Sequence, residues 1–340
     1  MRVLLTGGTG YIGSQTALVL HEAGHEVLLF DNLSNSTTAT IDRLESISRH
    51  RFKLIKGDVR DADLLNQVFQ ENPIEAVIHL AGLKSVSESH KQPERYQDNN
   101  VQGSISLLKA MKQHGIGKIA FSSSATVYGN PNYVPIDESH PTAPVSPYGQ
   151  SKLAVENILK DLANKDPLWQ VACLRYFNPV GAHRSGLLGE ETLGMPHNIM
   201  PFIAMVAAGK LPALKVFGND YPTRDGTGIR DYLHISDLAE GHLAALNFLN
   251  QSSALNGHGA YHCFNLGTGQ GTSVYEMVKA FERINQVHVP VEVVGRRDGD
   301  VASYFAKADK AEQQLKWKAT RGLEEMCQST WTWQQHSTAS

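Results

Sequence analysis

The chain has 340 residues, of which 41% are hydrophobic and 19% are charged, and its formal net charge is -3. A chain of this length can bury a large core in one big domain or in two unequal domains. Because positive and negative charges are nearly balanced, the sequence shows no polybasic signal. A nucleic-acid-binding protein and a protein that binds an anionic membrane surface are therefore both disfavoured.

The hydrophobic runs and the cysteines predict a cytoplasmic protein. No apolar run approaches the roughly 18 residues that suggest a membrane span, and segment 1–8 reaches glycine too early for a secretory signal. Cys173, Cys263 and Cys327 are odd in number and far apart in the sequence. They have neither the spacing of a metal site nor that of a disulfide framework, so we expect reduced cysteines and no bound metal.

The first half of the chain alternates short apolar runs with helical patterns. The predicted strands are 3–6, 26–30, 52–56, 76–79, 118–122 and 170–176. The predicted helices lie near 11–23, 61–70, 96–113 and 147–163. This βαβ alternation predicts an α/β fold with a Rossmann-type, doubly wound parallel sheet. The strands are almost continuously apolar, as expected when both faces of a sheet are covered by helices.

The alternation ends after Asn178, and the rest of the chain predicts a smaller mixed α/β domain. Segment 179–197 is rich in Gly, Pro, His and Glu and is predicted to be a long ordered loop, which is often functional. Further helices are expected near 198–208, 307–314 and 322–334, with strands near 214–217 and 290–294. We expect domains at 1–178 and 179–340, with segments near 234–249 and 261–267 returning to the first.

The first strand runs directly into a glycine-rich turn and then a helix. Gly7, Gly10 and Gly13 have the spacing Gly-x-x-Gly-x-x-Gly. Such glycines allow a tight turn, a close approach of the backbone to a pyrophosphate, and close helix–strand packing. The helix N-terminus adds free N–H groups and a positive dipole end. An ordinary turn would also use a glycine, but the position at the first strand–helix junction favours a dinucleotide site.

Asp31 ends the second strand and indicates which dinucleotide binds. An acidic residue about 20 residues beyond the glycines hydrogen-bonds a ribose diol and repels a 2′-phosphate. Segment 31–36 contains no Arg or Lys, so NAD is favoured over NADP, although Asp31 alone would also suit a helix cap. Asp58, after the third strand, is a candidate for the adenine amine. Lys84 is either a cofactor contact or a solvated loop lysine.

Tyr148 and Lys152 form the candidate catalytic pair. Their spacing Tyr-x-x-x-Lys places a phenol and an ammonium one helical turn apart on one face. A phenol with a pKa of about 10 is a poor base at neutral pH, and a nearby cation lowers that pKa. This spacing also recurs by chance, but Ser122 and Ser124 follow the fifth strand at the ligand-binding edge of the sheet. Ser124, Tyr148 and Lys152 therefore form a candidate triad for proton transfer to or from a hydroxyl.

These motifs, taken together, resemble the extended short-chain dehydrogenases/reductases and, within them, the UDP-glucose 4-epimerase family of the bacterial type. The similar stretches cover almost the whole chain: 6–13, 31–36, 79–84, 98–101, 122–129, 146–152, 174–182, 217–221, 225–234, 261–267 and 296–300. Two departures, Leu80 for a common Phe and Gln150 for a frequent Lys or Arg, carry no chemistry.

The resemblance implies a reaction in which C4 of UDP-galactose or UDP-glucose is inverted. Tyr148, as a phenolate, would take the proton of the 4-hydroxyl while C4 gives its hydride to tightly bound NAD. The 4-keto sugar would then turn and accept the hydride on its other face. Lys152 and the positive nicotinamide would together lower the pKa of Tyr148, and Ser124 corresponds to the catalytic serine or threonine of the family.

The resemblance also implies the remaining contacts of the cofactor. These positions lie in the glycine turn, in the loops after successive strands and on the neighbouring helices. Beyond the residues named above, they are Tyr11, Ile12, Asn32, Asn35, Ser36, Val59, Leu80, Ala81, Gly82, Asn99 and Phe177.

The implied UDP-sugar contacts lie mainly in the second half of the chain. They are Asn178, Asn198 and Ile199 for the diphosphate and sugar, Lys215, Val216 and Phe217 beside uracil, Arg230 and Arg297 as diphosphate clamps, and Asp300 for the uridine ribose. Paired guanidinium groups suit phosphate oxygens geometrically. Tyr304 corresponds to a position where a large residue crowds the sugar's 2-substituent, which predicts a preference for UDP-glucose and UDP-galactose over N-acetylated sugars.

Other functions are possible on the same fold. Dehydratases of sugar nucleotides usually carry an Asp-Glu pair after the Ser/Thr, where this chain has Ala125-Thr126. Epimerases of N-acetylated or pentose UDP-sugars remain an alternative, as does a non-catalytic regulatory protein that binds NAD or a nucleotide sugar. The helices near 96–113 and 147–163 resemble the pair that forms the family's dimer interface, which implies a homodimer.

Overall fold

The computed structural model describes residues 1–191, 194–196, 198–256, 259–297 and 299–338. Residues 192, 193 and 197 of the predicted long loop 179–197 lie outside the described residues, as does position 298 of the similar stretch 296–300.

The strands and helices follow the alternation that the sequence predicts for the first half of the chain. The strands are β1 Arg2–Thr6, β2 Glu26–Asp31, β3 Lys53–Lys56, β4 Ala76–His79, β5 Lys118–Ser124, β6 Gln170–Tyr176, β7 Asn178–Val180, β8 Leu214–Phe217, β9 Ile229–His234, β10 Ala260–Leu266, β11 Gly271–Ser273, β12 Val291–Val294 and β13 Ser303–Tyr304. The helices are α1 Tyr11–Glu22, α2 Ala39–Ser48, α3 Ala62–Glu71, α4 Val86–Lys91, α5 Pro93–Tyr96, α6 Gly103–Gln113, α7 Pro147–Lys165, α8 Ile199–Ala207, α9 Ile235–Asn256, α10 Val274–Asn285 and α11 Leu323–Thr338.

The main sheet has seven strands in the order β10-β6-β5-β4-β1-β2-β3. All of its neighbouring pairs are parallel. The strand order reverses between β1 and β4, which opens a crevice at their carboxyl ends where doubly wound sheets bind ligands. The predicted Rossmann-type α/β fold is therefore confirmed.

The two faces of the main sheet carry separate hydrophobic clusters, which explains why its strands are apolar on both sides. One face packs Leu4, Val77 and Phe121 under α3, α6 and α7, and the other packs Leu5 and Ile78 under α1 and α2. Because the sheet is held rigidly from both faces, the loops at its carboxyl edge are fixed relative to one another.

The second part of the chain is built around β9, which pairs with β11, β13 and β7. Strands β8 and β12 form a separate parallel pair. Strand β10 lies at the edge of the main sheet beside β6, and α9 packs against α1 and β6. These contacts favour the predicted return of segments 234–249 and 261–267 to the first domain, although the domain bounds themselves stay a prediction.

Several elements differ from the sequence-based expectation. Helix α10 was not predicted, although Ser273 and Glu276 form a capping box that signals its start. The predicted helix 96–113 is divided, because a π-type turn Gln97–Gln102 separates α5 from α6. The predicted helix near 307–314 is a short π-type turn, Ala311–Leu315.

Two of the cysteines that are distant in the sequence are neighbours in space. Cys173 and Cys263 lie side by side in the register of β6 and β10. Both are buried free thiols, as is Cys327.

Among the described residues, no helix has both the length and the hydropathy that a membrane crossing requires.

Candidate active site

The turn between β1 and α1 is shaped by glycines that tolerate no side chain. Gly7 has a φ of +70°, and a Cβ there would lie 2.7 Å from the backbone nitrogen of Ala81. A Cβ on Gly13 would lie 2.1 Å from the carbonyl oxygen of Gly7. Gly10 precedes α1 without capping it through a side chain, so the first N–H groups of the helix stay available to an anion.

Asp31 is buried at the end of β2 and faces this turn. One carboxylate oxygen accepts a hydrogen bond from the backbone N–H of Thr9 at 3.1 Å, and the other accepts one from the N–H of Leu33 at 2.9 Å. The hydroxyl of Ser36 lies 2.6 Å from that of Thr9 and closes the same cluster. The glycine turn and the loop after β2 are thereby joined through one acidic side chain.

Asp58, the candidate for adenine recognition, is engaged by protein groups. Asn32 donates to one of its oxygens at 2.9 Å, and Arg60 donates to both oxygens at 2.9 Å. The hydrogen bonds from Arg60 lower the pKa of the Asp58 carboxyl well below its usual range. Asp58 is thus a fixed anion at the carboxyl end of β3. The next residue, Val59, points its side chain into the core.

The loop after β4 is fastened to helix α7 by Asn100, which the sequence analysis did not single out. Its Oδ1 accepts a hydrogen bond from the N–H of Leu83 at 2.8 Å, and its Nδ2 donates to the Ser151 hydroxyl at 3.0 Å. A Cβ on Gly82 would lie 3.1 Å from the Asn100 Oδ1. The neighbouring Asn99, the predicted cofactor contact, is half-buried in the π-type turn.

Lys152 is buried on α7 and is held by the end of β5. Its Nζ donates to the carbonyl oxygen of Ser122 at 2.7 Å and lies 5.9 Å from the centre of the Tyr148 ring. Burial lowers the pKa of Lys152 to about 8, and the carboxylate of Glu156 opposes this shift. The ammonium is therefore near the phenol without donating a hydrogen bond to it.

Tyr148 is half-buried at the start of α7, beside Ser124. Burial raises the pKa of the Tyr148 phenol, while a hydrogen bond with the Ser124 side chain lowers it, and the first effect is larger. Lys152 alone therefore does not produce the lowered pKa that the spacing predicts. The structure nevertheless brings Ser124, Tyr148 and Lys152 together at the carboxyl edge of the sheet.

A buried ion pair supports this edge from behind. Arg175 on β6 donates to both oxygens of Glu156 on α7, at 2.9 and 2.6 Å, and both side chains are almost fully buried. Ser123, between the two site serines, donates to the same carboxylate at 2.5 Å. Arg175 also donates to the Tyr128 hydroxyl at 3.0 Å. This network joins α7, β5 and β6, so it fixes the spacing of the triad.

Three of the predicted UDP-sugar residues meet around strands β9 and β13. Arg230 is paired in register with Tyr304, and its guanidinium forms an ion pair with Asp300. The Tyr304 hydroxyl donates to the carbonyl oxygen of Ala125 at 2.5 Å. Because Ala125 follows Ser124 directly, Tyr304 closes the site on the side of the triad.

The predicted uracil strand β8 presents alternate side chains to opposite faces. The guanidinium of Arg297 lies 4.3 Å from the centre of the Phe217 ring, while Lys215 is exposed. Val216 is buried in the core, so only its backbone can serve a ligand. Phe217 and Arg297 are thus close enough for a cation–π contact.

Comparison with known proteins finds relatives that match almost the whole chain. The chain matches the family model described as GDP-mannose 4,6 dehydratase over residues 4–330. A UDP-glucose 4-epimerase from Bacillus subtilis is 52% identical over 98% of this chain and 97% of its own length. The crystal structure of a UDP-glucose 4-epimerase from Stenotrophomonas maltophila, with bound NAD and formylated UDP-arabinopyranose, has a TM-score of 0.96 at 48% identity and covers 100% of both chains. That from Bifidobacterium longum, in complex with NAD+ and UDP, has a TM-score of 0.94 at 46% identity and covers 99% of both chains.

This chain belongs to the UDP-glucose 4-epimerase family. The family model with the dehydratase description covers the wider group, and the local structure after β5 separates the two chemistries. Ala125 and Thr126 begin a 3₁₀ turn there, and Thr126 donates to the Ser124 hydroxyl at 3.0 Å. No carboxylate occupies this place to act as the acid or base of a dehydration. The predicted membership of the epimerase family is confirmed.

The remaining predicted residues lie mainly in the loops after strands and at the starts of helices. Tyr11 and Ile12 form the first turn of α1, while Leu80, Ala81 and Lys84 follow β4. Asn35 lies in the loop after β2, Phe177 and Asn178 follow β6, and Asn198 and Ile199 begin α8. Residues that sequence reasoning missed are Asn100, Glu156, Arg175 and Glu190. The first three act through buried contacts with distant segments, which no local motif reveals.

Proposed function

We propose that the protein interconverts UDP-galactose and UDP-glucose by inverting the sugar at C4. The 4-hydroxyl carbon is oxidised to a ketone, the 4-keto sugar turns within the site, and C4 is reduced on its other face. The observation that carries this proposal is the meeting of Tyr148, Ser124 and Lys152 beside a glycine turn that suits a dinucleotide. The names of relatives at about half identity support the same reaction.

NAD is the cofactor that this proposal requires, and the residues present fit it. Gly7 and Gly13 leave no room for a side chain where the backbone would meet the pyrophosphate. Asp31 places a buried carboxylate at the end of β2, which suits a ribose diol and disfavours a 2′-phosphate. Related structures carry bound NAD. When bound, NAD would supply a reversible hydride acceptor and a positively charged nicotinamide ring.

Tyr148 is the group that moves the proton of the 4-hydroxyl. Ser124 shares a hydrogen bond with the phenol, so both can reach the same substrate oxygen. Because burial raises the pKa of Tyr148, the protein by itself holds the phenol protonated at neutral pH. A second positive charge is needed in addition to Lys152, and the nicotinamide ring of bound NAD would provide it. The base would thus be active only in the cofactor-loaded protein.

The UDP part of the substrate is held by the second half of the chain. Arg230 and Arg297 bind the diphosphate oxygens, and Phe217 lies beside uracil. Asp300, whose carboxylate pairs with Arg230, is the candidate ribose contact. Asn178 and Asn198 provide amide hydrogen bonds to the diphosphate and sugar. The UDP part and the sugar of the substrate would therefore be recognised by different segments of the chain. Together these contacts would position C4 of the sugar over the triad.

Conversion of UDP-galactose by the purified protein, without added NAD, tests the proposal. We expect UDP-glucose to form, because tightly bound NAD is regenerated in each cycle. The measurement is the ratio of the two sugars by chromatography, with the NAD content determined after denaturation. Bound NAD without any UDP-glucose would overturn the epimerase proposal and favour a nucleotide-binding module.

Tyr304 is proposed to set the choice of sugar. Its ring packs 5.7 Å from that of Phe177, and its hydroxyl is held by Ala125. We expect wild-type protein to prefer UDP-galactose over UDP-N-acetylglucosamine. Tyr304→Ser should raise kcat/KM for the N-acetylated sugar by about 10–200-fold, the range that small volume changes in a pocket produce. Kinetics with both sugars measure the change.

Tyr275→Ser is the matched control for this substitution. Tyr275 lies on α10 and is not one of the predicted sugar residues, so the same change there should leave the ratio of the two sugars unaltered. Comparable efficiency of wild-type protein on both sugars would contradict the role of Tyr304.

The homodimer, the cytoplasmic location and the domain bounds that the sequence suggests complete the proposal and stay predictions.

A further inference from the structure

Glu190 joins a predicted cofactor residue to a predicted substrate residue. Its Oε1 accepts hydrogen bonds from Lys84 Nζ at 2.9 Å and from Asn198 Nδ2 at 2.8 Å, and its Oε2 lies 3.1 Å from the same Asn198 nitrogen. The carboxylate side chain is only 11% exposed. A carboxylate that is buried between the two halves of a site needs partners, and both partners here are proposed ligand contacts.

The segment that leads to Glu190, residues 181–190, is anchored at three points of its backbone. The Tyr11 hydroxyl donates to the carbonyl oxygen of Gly181 at 2.6 Å, and Gln15 Nε2 donates to that of Leu188 at 3.0 Å. The indole of Trp333 donates to the backbone carbonyl of Glu190 itself at 3.2 Å. The backbone that carries the Glu190 carboxylate is therefore held by the cofactor helix α1 and by α11, so the carboxylate is preorganised before a ligand arrives.

The contact with Glu190 determines which way the Asn198 amide points. An ionised carboxylate can only accept hydrogen bonds, so the NH₂ end of the amide must face it. The Asn198 Oδ1 is then directed away from Glu190 as an acceptor. Asn198 precedes α8 and does not cap it with its side chain, so the helix does not impose this orientation. The orientation comes from Glu190.

We infer that Glu190 is a positioning residue, which orients the Asn198 amide for the UDP-sugar and ties it to Lys84 at the cofactor side. This inference rests on the proposed function, because it takes Asn198 as a substrate contact. Glu190 itself does not act on the reacting atoms. Its removal should weaken binding of the sugar nucleotide and leave the chemical step nearly unchanged.

Glu190→Gln in the NAD-loaded protein tests the inference. Glutamine keeps the size of the side chain but can present either end to Asn198, so the amide loses its fixed orientation. We expect KM for UDP-galactose to rise about tenfold, as loss of a charged hydrogen bond implies, with kcat changed by less than about twofold. Steady-state kinetics separate the two constants.

Glu191→Gln is the matched control. It makes the same chemical change one residue away, where the carboxylate pairs with Arg43 at 2.9 Å. We expect its KM to stay close to that of the wild type. A KM for Glu190→Gln no higher than that for Glu191→Gln would overturn the inference. A Glu190→Gln variant in which kcat and thermal stability both fall while KM is unchanged would overturn it as well.

A double-substitution cycle separates positioning from a general effect on the fold. Asn198→Ala should raise KM by itself, and Glu190→Gln added to it should raise KM little further, because the group that Glu190 orients is gone. Full additivity of the two effects would contradict the inference. A wild-type protein that does not convert UDP-galactose would instead contradict the proposed function, so the two failures are distinguishable.

Discussion

Tyr148→Phe is expected to lower kcat for UDP-galactose by about 10²–10⁴-fold, the usual contribution of a positioned proton-transfer group. The substitution removes only the phenolic hydroxyl, which shares a hydrogen bond with Ser124 and is the proposed acceptor of the substrate proton. The ring contact with Tyr96 can persist, so folding and NAD content should be retained. Epimerase kinetics on protein with measured NAD content determine the loss.

Tyr133→Phe provides the matched control for this loss. Tyr133 is an exposed tyrosine outside the triad, and its hydroxyl donates to Asp137 at 3.0 Å. Tyr133→Phe also removes one phenolic hydroxyl, and epimerase activity should stay near that of the wild type. A Tyr148→Phe variant with full activity would disprove the proposed mechanism, whatever the state of its cofactor.

Glu156→Gln is expected to lower the free energy of unfolding by about 3–5 kcal/mol, because it leaves the guanidinium of Arg175 buried without an opposite charge. Both side chains lie inside the fold, at 2% and 7% exposure, so water cannot replace the lost partner. Glutamine also has only one acceptor oxygen in place of the two that now accept from Arg175 and Ser123. Urea unfolding followed by circular dichroism measures the change.

An exposed acidic residue on the same helix is the control for the buried one. Asp161 lies 3.9 Å from Lys165 on α7, and both side chains are more than 70% exposed. Asp161→Asn should change the unfolding curve little, since exposed ion pairs of this kind contribute little. If the two substitutions cost the same, the buried pair would not be a structural support of the triad.

Local sequence signals predicted much of this site. The glycine spacing 7–13, the acidic end of β2 and the Tyr-x-x-x-Lys helix are short-range patterns, because each depends on contacts within one strand–turn–helix unit. The strands of the main sheet were predictable for a similar reason: burial on both faces makes them continuously apolar. The prediction omits helix α10, although the capping box that begins this helix is visible in the sequence.

The direction of the Tyr148 pKa shift was not predictable from spacing. The sequence places a cation one helical turn away, which argues for a lowered pKa. In the folded protein Lys152 donates instead to the Ser122 carbonyl, and burial of the phenol has the larger effect. Desolvation depends on every segment that covers the ring, and those segments are far apart in the chain.

The sequence by itself determined the fold class, the family and the positions of the triad, because these follow from periodicity and from motifs of a few residues. Only the tertiary structure decided how the site is supported. Asn100 fastens the loop after β4 to α7, Arg175 neutralises Glu156 behind the triad, and Glu190 joins Lys84 to Asn198. Each of these contacts joins segments that are separate in the chain, and their hydrogen bonds form only when packing of the sheet and helices excludes water from between them.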